Sequence, residues 1–398
     1  MASAKRTQYR RRAITQEVSP RPCIGLEAEF TLYVDGKKCR PEAVFGNPCH
    51  MVREKMIPRP GRSWHLPSGG ALYFDTGVIE VATPVMEIGP ECAVRAVRSL
   101  WEQIAYIRSE LDAWEKEKGV SIRLEGFSTH YNVSLRGRAL LDSGARQQLA
   151  LLLLYVLHAP VMLLAANRCS TGVGVRPRDG RIEVTADFTP DPDLMTASAA
   201  LITGVTLAVA EWPSHDLDQV EDRGIPVIAD FAHRRHTSRK GFLARFDCFP
   251  ANPFANDPNM AMWETNGGRQ LSLRQIATSV AAKFRRSIRA VSNFAVSRHV
   301  FAVLGGRARS LLDFVERPAA YEDVGRTIVW RRRTARALPR CRYERIIRRV
   351  ISDRPVVIGS STYRTERMLG WFEIAFRNTR TGQRRVFTLD ELADRCAL

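Results

Sequence analysis

The sequence lacks a secretory signal, cysteine pairs typical of a zinc site and a cysteine pattern typical of disulfide-rich proteins. Its eight cysteines are scattered along the 398 residues, and no two of them form a CxxC pair or another spacing typical of zinc ligands. The first twelve residues are polar and basic and lack the apolar segment of a secretory signal. The chain also contains no internal repeat. These absences favour a reduced, cytoplasmic protein, and we expect residues 1–20 to form a flexible basic arm.

Acidic residues are also in deficit. The chain has 42 Asp and Glu against 60 Lys and Arg, which gives a net charge of +18. Such an excess favours phosphate-bearing or acidic partners: nucleotide, nucleic acid or an acidic protein. The length allows one large core and a second, smaller one. We expect a large domain over residues 21–325 and a small basic domain over residues 326–398.

What the sequence does contain is four motifs in which acidic or histidine residues interrupt apolar, strand-like runs. In the first, Cys23–Val34, polar and apolar positions alternate, so Glu27 and Glu29 project from one face. Adjacent carboxylates repel, and burying them without a partner is costly, so this strand requires a metal ion or an arginine beside it. The other three motifs are Leu72–Glu80, which contains an Asp75-Thr76-Gly77 bend, Ser128–Ser134, which contains His130, and Arg181–Val184, which contains Glu183.

Apolar spacing also predicts the helices. A helical period after Glu91 ends at Lys118-Gly119, where glycine after lysine is typical of a helix stop. Asp216–Asn266 is irregular and is predicted to be a substrate-facing loop region. Three further long helices are predicted at about 145–167, at 192–212 and at about 271–298, and the C-terminal domain is predicted to contain a strand at 355–358 and an alternating stretch at 371–386.

Two apolar runs, Leu149–Ala166 and Leu194–Ala210, approach the roughly 18 residues that could span a membrane. His158 and Pro160 interrupt the first run. If both runs crossed a bilayer, Glu183 would lie on the side opposite the other motifs. The sequence therefore predicts two helices buried in a soluble core.

Together the motifs resemble those of a known superfamily. Gly25-Leu26-Glu27-Ala28-Glu29-Phe30 is similar to the first metal-binding strand of glutamine synthetase and related carboxylate–amine ligases. Arg181-Ile182-Glu183-Val184 and the His130 string resemble two further strands of that superfamily. The Gly69–Pro84 segment is similar to a loop of the ligase and deamidase that act on the prokaryotic ubiquitin-like protein Pup. The resemblance spans roughly Cys23–Trp212 and extends to the glutamate–cysteine ligase group.

The resemblance implies an α+β fold, with a curved, mainly antiparallel sheet and long helices packed on one face. It implies ATP and two or three magnesium ions as cofactors, and Asp75 as the catalytic base. It implies metal ligands at Glu27, Glu29, Glu80, His130 and Glu183, nucleotide contacts at Asn132, Ser134, Arg181 and Arg176, and substrate contacts at Thr185, Arg239 and Lys240.

The implied activity is an ATP-dependent ligase that forms an amide or isopeptide bond through an acyl phosphate. Thr185 stands where glutamine synthetase has an arginine for the substrate's carboxylate, and Asn132 replaces a second histidine, so free glutamate is not the predicted substrate. An acidic protein or peptide is a candidate partner for the basic C-terminal region.

Two alternatives remain open from the sequence. The first is a nucleotide-dependent amide hydrolase on the same scaffold. The second is a nucleic-acid-binding or scaffold protein with a decayed site, which the arginine-dense stretch at 331–349 would suit. Because the ligand-type residues are retained and no aromatic-basic motif of an RNA-recognition type is present, nucleic acid is not the expected partner.

Overall fold

A computed structural model describes residues 21–135, 142–236, 241–327, 338–352 and 354–395. The predicted N-terminal arm lies outside the described residues, as do Arg239 and Lys240. The helices are α1 Pro41–Phe45, α2 Cys92–Lys118, α3 Ser143–Ala165, α4 Pro192–Ala210, α5 Asp218–Asp222, α6 Leu273–Lys283, α7 Arg285–Ala290, α8 Phe294–Leu304, α9 Arg342–Ile351 and α10 Leu389–Arg395. The strands are β1 Cys23–Val34, β2 Lys37–Cys39, β3 Ile57–Arg59, β4 Ser63–His65, β5 Ala71–Asp75, β6 Val78–Ala82, β7 Met86–Glu87, β8 Ile122–Ser134, β9 Gly172–Arg178, β10 Arg181–Asp187, β11 Arg234–Arg235, β12 Phe242–Arg245, β13 Trp263–Glu264, β14 Gln270–Leu271, β15 Val356–Ile358, β16 Ser361–Met368, β17 Glu373–Asn378 and β18 Arg384–Thr388.

A large antiparallel sheet forms the centre of the molecule. Its strand order within the described residues is β11-β12-β9-β10-β8-β1-β6-β5-β4-β3, and β2 and β7 also pair with β1. One face of β1 carries Ile24, Leu26, Ala28 and Phe30, all fully buried. The long helices α2, α3 and α4 pack on that face. The predicted α+β fold, a mainly antiparallel sheet with long helices on one face, is confirmed.

Local sequence sets the helix ends. Helix α2 ends at Gly119, which has a positive φ of 68°, as its Lys-Gly signal predicts. Asp142 caps α3 by accepting hydrogen bonds from the backbone N–H groups of Gly144 and Ala145. Asp191 caps α4 in the same way, and Pro192 occupies the first turn, where no N–H is needed.

Helices α3 and α4 are long and apolar enough to cross a membrane by length and composition alone. Of their most apolar segments, 83% and 78% of residues are buried within the fold. Core helices of soluble proteins pass the same test, so these two helices are weak evidence for a membrane. They are buried helices, as the sequence predicts.

The prediction of one helix over 271–298 is wrong, because three helices occupy the segment 273–304. Ser272 caps α6 and pairs reciprocally with Gln275, so the helix starts two residues later than expected. Asn293 then accepts a hydrogen bond from the backbone N–H of Val296, which starts α8. A capping residue inside the apolar period thus ends one helix and begins another.

The expectation of an irregular region at 216–266 is also partly wrong. It contains α5, and strand β12 within it pairs with β9 at the edge of the large sheet. Short strands of two to four residues carry too little alternation to be recognised from sequence.

Residues beyond 341 form a second core. Strands β15 to β18 make a four-stranded antiparallel sheet, and α9 and α10 pack on it. Tyr321 and Val324 still belong to the large core, whereas Tyr343 belongs to the small one. The predicted boundary after residue 325 stays a prediction. A buried ion pair between Arg98 on α2 and Glu344 on α9, with Nη2 and Oε1 3.2 Å apart, connects the two cores.

Candidate active site

The strand register brings the four motifs together on the face of the sheet opposite the long helices. Glu29 lies directly across from Glu80 in the β1–β6 pair, and Glu27 lies across from His130 in the β1–β8 pair. Asn132 lies across from Glu183 in the β8–β10 pair. Neighbouring strands are about 4.8 Å apart, so side chains that share a face at these positions must converge.

All five predicted metal ligands converge into two overlapping groups. Glu27, His130 and Glu183 form one group, and Glu29, Glu80 and His130 form the other; in each, one ligand atom per residue lies within 4.8 Å of the others. The Nδ1 atom of His130 is 3.4 Å from Oε2 of Glu27 and 3.7 Å from Oε1 of Glu80. Glu183 is 1% exposed and Glu80 is 3% exposed. Buried carboxylates this close together repel one another, so the cluster needs a cation, as the sequence predicts.

Burial and charge set the protonation of the cluster. Burial and the negative charge of Glu27 raise the pKa of Glu80. Burial alone would raise the pKa of Glu27, but its hydrogen bond with His130 and the positive charge of that ring lower it. Burial alone would lower the pKa of His130, but Glu27, Glu29 and Glu183 raise it to about 9. The imidazolium therefore acts as a cation among the carboxylates.

Arginines on β9 and β10 border the cluster. Nε of Arg178 donates to Oε2 of Glu183 at 2.8 Å, and Arg176 contacts the other oxygen of Glu183. That oxygen, Oε1, is buried and has no hydrogen bond of acceptable geometry among the described residues. Buried carboxylate oxygens with incomplete hydrogen bonding are ligands that suit magnesium. His130 would add a nitrogen ligand once its ring gives up its proton to make room for the ion. The donor set fits the predicted ions.

Of the described residues predicted to contact nucleotide or substrate, most bond to the ligand cluster or to the arginines beside it, and Ser134 does not. Asn132 links Arg181 to the cluster, since its Oδ1 accepts from Nε of Arg181 at 2.8 Å and its Nδ2 donates to Glu27 at 3.1 Å. Thr185 accepts a hydrogen bond from Arg176 at 3.2 Å. Ser134 lies away from these groups and accepts a hydrogen bond from the backbone N–H of Cys23. Ser134 thus fastens β8 to β1 and is not brought to the cavity wall.

Asp75 is presented by a two-residue hairpin turn. Thr76 and Gly77 between β5 and β6 both have positive φ, 49° and 92°, as the hairpin turn of type I′ requires. Asp75 shares a face of β5 with Tyr73, which lies across from Glu80. The hydroxyl of Tyr73 donates to Oε1 of Glu80 at 2.7 Å. The hairpin therefore sets the candidate base and a metal ligand on one rigid element.

A cavity of about 290 Å³ opens over the cluster. Its wall includes Asp75, Arg178 and Arg181, together with Arg59 and Trp371. The guanidinium carbon of Arg59 lies 3.7 Å from the ring centroid of Trp371. Trp371 comes from the loop between β16 and β17, so the small domain completes the cavity. The lining residues are Glu27, Arg59, Gly61, Ser63, Tyr73, Asp75, Glu80, His130, Arg178, Arg181, Glu183 and Trp371.

The sequence did not single out Tyr73, Ser128, Arg59 or Trp371, although all four border the site. The hydroxyl of Ser128 contacts Glu29 at 2.5 Å and His130 Nε2 at 3.2 Å. Alternation along β5 and β8 could have found Tyr73 and Ser128, since Tyr73 shares a strand face with the predicted base Asp75 and Ser128 shares one with the predicted ligand His130. Arg59 and Trp371 meet only through the packing of the two cores, and no sequence signal joins them.

No family model matches the sequence, and no curated protein matches it. Among solved structures, the complex between the prokaryotic ubiquitin-like protein Pup and its ligase PafA matches with a TM-score of 0.49 and 12% identity, over 94% of this chain and 92% of that chain. The chain is similar to a solved ligase along nearly its whole length. A structure of apo GmaS also matches, with a TM-score of 0.32 and 13% identity, over 72% of this chain and 67% of that chain. Identities this low assign no activity to the chain.

Proposed function

We propose that the protein is an ATP- and magnesium-dependent carboxylate–amine ligase that forms an amide or isopeptide bond. The observation that supports this most strongly is the convergence of Glu27, Glu29, Glu80, His130 and Glu183 beneath a cavity whose wall also carries Asp75. The sequence motifs that resemble carboxylate–amine ligases are the same residues that meet in space.

Each residue has a task in the proposed reaction. The five ligands would hold magnesium, which when bound neutralises charge on the ATP phosphates. Arg178 and Arg181 line the cavity as fixed positive charges for the transferring phosphoryl group. Tyr73 holds Glu80 in position through its hydroxyl. Arg59 and Trp371 add a cationic and an aromatic group to the cavity wall.

The proposed chemistry has two steps. A substrate carboxylate oxygen attacks the γ-phosphorus of ATP, the bond to the β,γ-bridging oxygen breaks, and ADP leaves. The nitrogen of an amine then attacks the acyl carbon, phosphate leaves, and Asp75 accepts the proton of the amine. Thr185 stands where glutamine synthetase has an arginine that binds the carboxylate of a free amino acid, so we propose a protein or peptide substrate. Because the cysteines are scattered along the chain, we also propose a cytoplasmic location for the reaction.

Calorimetric titration of magnesium and a non-hydrolysable ATP analogue into the protein tests the first half of the proposal. A screen for ADP release over amino acids, polyamines and acidic peptides tests the second. Asp75→Asn should bind the metal–nucleotide complex like the wild type. It should lose sustained ADP release and amide formation with both substrates present, because the acyl phosphate forms but the amine that attacks it has no proton acceptor. The control is Asp179→Asn, whose side chain is fully exposed at the β9–β10 turn.

Several outcomes would contradict the ligase. Absence of metal–nucleotide binding would contradict the whole site. Equal sustained ADP release and equal amide formation by Asp75→Asn and the wild type would show that Asp75 is not the proton acceptor. If the protein binds the metal–nucleotide complex and hydrolyses an amide without stoichiometric ADP release, it is an amide hydrolase and not a ligase.

A further inference from the structure

Helices α6, α7 and α8, which lie on the side of the sheet away from the candidate active site, carry an unusual distribution of charge. Between Thr265 and Leu312 the chain has nine Arg and Lys residues and no Asp or Glu. The segment therefore holds half of the protein's net charge of +18 in about an eighth of its length. Eight of the nine basic residues are arginines, and Lys283 is the exception.

The arginines of α7 and α8 form one patch. The guanidinium carbon of Arg285 lies 4.2 Å from the ring centroid of Phe301, and that of Arg289 lies 5.5 Å from the centroid of Phe294. On α8, Arg298 is four residues after Phe294 and three before Phe301, so all three share a helix face. We call Arg285, Arg289, Phe294, Arg298 and Phe301 the arginine–phenylalanine patch.

The charges of this patch are not neutralised within the described part of the chain. Arg285, Arg289 and Arg298 are exposed, and none of them forms an ion pair with a described carboxylate. Glu91 approaches the edge of the patch, where its Oε1 accepts a hydrogen bond from Nδ2 of Asn293 at 3.0 Å. Phe294 is 63% exposed, the largest exposure of any described phenylalanine. The surface thus offers unpaired guanidinium groups around an open aromatic ring.

The position of the patch separates it from the proposed reaction. Helices α7 and α8 pack on α4, and α4 packs on β8 from the apolar side of the sheet. The metal-ligand cluster lies on the other side of that sheet. An acidic substrate held by the patch would be separated from Asp75 by a layer of helices and the sheet. The patch therefore does not serve as the substrate entrance.

We propose that the arginine–phenylalanine patch binds single-stranded nucleic acid. Guanidinium groups match phosphate oxygens in a bidentate geometry, and arginine stacks on aromatic rings and bases more readily than lysine does. Exposed aromatic rings beside a cationic track are the combination by which proteins hold single strands, since each base can stack on the ring. This reverses the expectation from the sequence, which placed basic density at 331–349 and had no aromatic-basic motif to recognise.

The test measures binding of the full-length protein to a fluorescein-labelled 20-nucleotide uridine strand, without ATP or magnesium, from 50 to 200 mM salt. Neutralising three charges in Arg285→Gln/Arg289→Gln/Arg298→Gln should lower affinity more than tenfold at low salt. It should also reduce the slope of log affinity against log salt by about 2, because each phosphate contact on a single strand contributes about 0.7.

Two further variants separate the patch from net charge. Arg364→Gln/Arg380→Gln/Arg385→Gln removes three exposed arginines from the small domain, so it matches the loss of charge. It should change affinity less than threefold. Phe294→Ala should lower affinity roughly tenfold and leave the salt slope unchanged, because stacking is lost without loss of charge.

The proposal is overturned if both triple variants lose affinity equally, since net charge would then explain binding. It is also overturned if polyglutamate or vesicles of anionic phospholipid compete at the same charge concentration as the uridine strand. Absence of uridine-strand binding at 50 mM salt would overturn it as well. None of these results depends on magnesium–ATP binding, so they leave the proposed ligase untouched.

Discussion

His130 is shared by the two ligand groups, and this makes it the central residue of the site. Its Nδ1 faces Glu27 and Glu80, and its Nε2 lies 3.8 Å from Oε2 of Glu29. Positive charge on its ring offsets the repulsion that would otherwise separate these carboxylates. A divalent ion has the same effect with greater charge, which is why the cluster suits magnesium.

Tyr73 orients one of these ligands, and Tyr73→Phe tests that role. Removing the hydroxyl leaves Oε1 of Glu80 without its 2.7 Å donor, so Glu80 is held less firmly. We expect affinity for magnesium with an ATP analogue to fall roughly tenfold to a hundredfold, as for other partners of metal ligands. Calorimetry measures this. Tyr33→Phe is the matched control, because Tyr33 lies on β1 near Glu125 and Arg123, away from the cluster. Equal affinities of the two variants for the metal–nucleotide complex would show that Tyr73 does not orient Glu80.

At the residue scale, the sequence was informative where chemistry and strand alternation coincide. Glu27 and Glu29 were predicted to share a face because apolar residues alternate with them, and they do. Ser134 lies an even number of residues from His130 and Asn132 on β8, so alternation predicts that it shares their face. It nevertheless lies where β8 ends, and it accepts a hydrogen bond from the backbone N–H of Cys23. Alternation predicts the face of a sheet on which a residue lies, but it does not predict where along that face a cavity opens.

At the scale of elements, the β5–β6 hairpin positions the chemistry. Its turn sets Asp75 beside Val78 and Tyr73 beside Glu80. The bend at Asp75-Thr76-Gly77 was predictable because the sequence supplies glycine where positive φ is needed. The break between α7 and α8 could not be predicted. Asn293 lies within an uninterrupted helical period of apolar residues, and only the structure shows that its side chain caps α8.

Gly77→Ala tests the strain in this turn. A side chain at φ 92° is strained whatever space surrounds it, so unfolding should become easier by about 1–2 kcal/mol. Urea denaturation measures the change. Gly89→Ala is the control, since a Cβ at Gly89 meets nothing within 4 Å and its φ is not positive. Equal unfolding midpoints for the two variants would show that the turn does not require glycine.

At the scale of the whole molecule, the two cores form one cavity. Trp371 reaches the cavity from the small domain, and Arg98 and Glu344 connect α2 to α9. Composition predicted a separate basic C-terminal domain. Its contribution to the site could not be predicted, because the contact between Arg59 and Trp371 joins segments far apart in the chain.

Glu344→Gln tests the coupling between the cores. Glu344 is fully buried between Arg98 and Arg340, so removing its charge leaves the buried guanidinium of Arg98 with only the partly exposed Glu102 as an acidic partner. We expect a loss of on the order of 3 kcal/mol in unfolding free energy. Glu366→Gln is the control, because it removes a partly exposed ion pair with Arg377 and Arg384 and should cost less than about 1 kcal/mol. A loss no larger for Glu344→Gln than for Glu366→Gln would contradict the coupling.

The central claim is that the four acidic and histidine motifs make one divalent-cation site for ATP. The most direct measurement is anomalous X-ray scattering from a crystal grown with manganese, as a substitute for magnesium, and a non-hydrolysable ATP analogue. We predict manganese peaks between His130 and the carboxylates of Glu27, Glu29, Glu80 and Glu183, with analogue phosphates beside them and Asp75 on the cavity wall. A crystal with the analogue bound elsewhere, or without manganese at these five residues, would contradict the account.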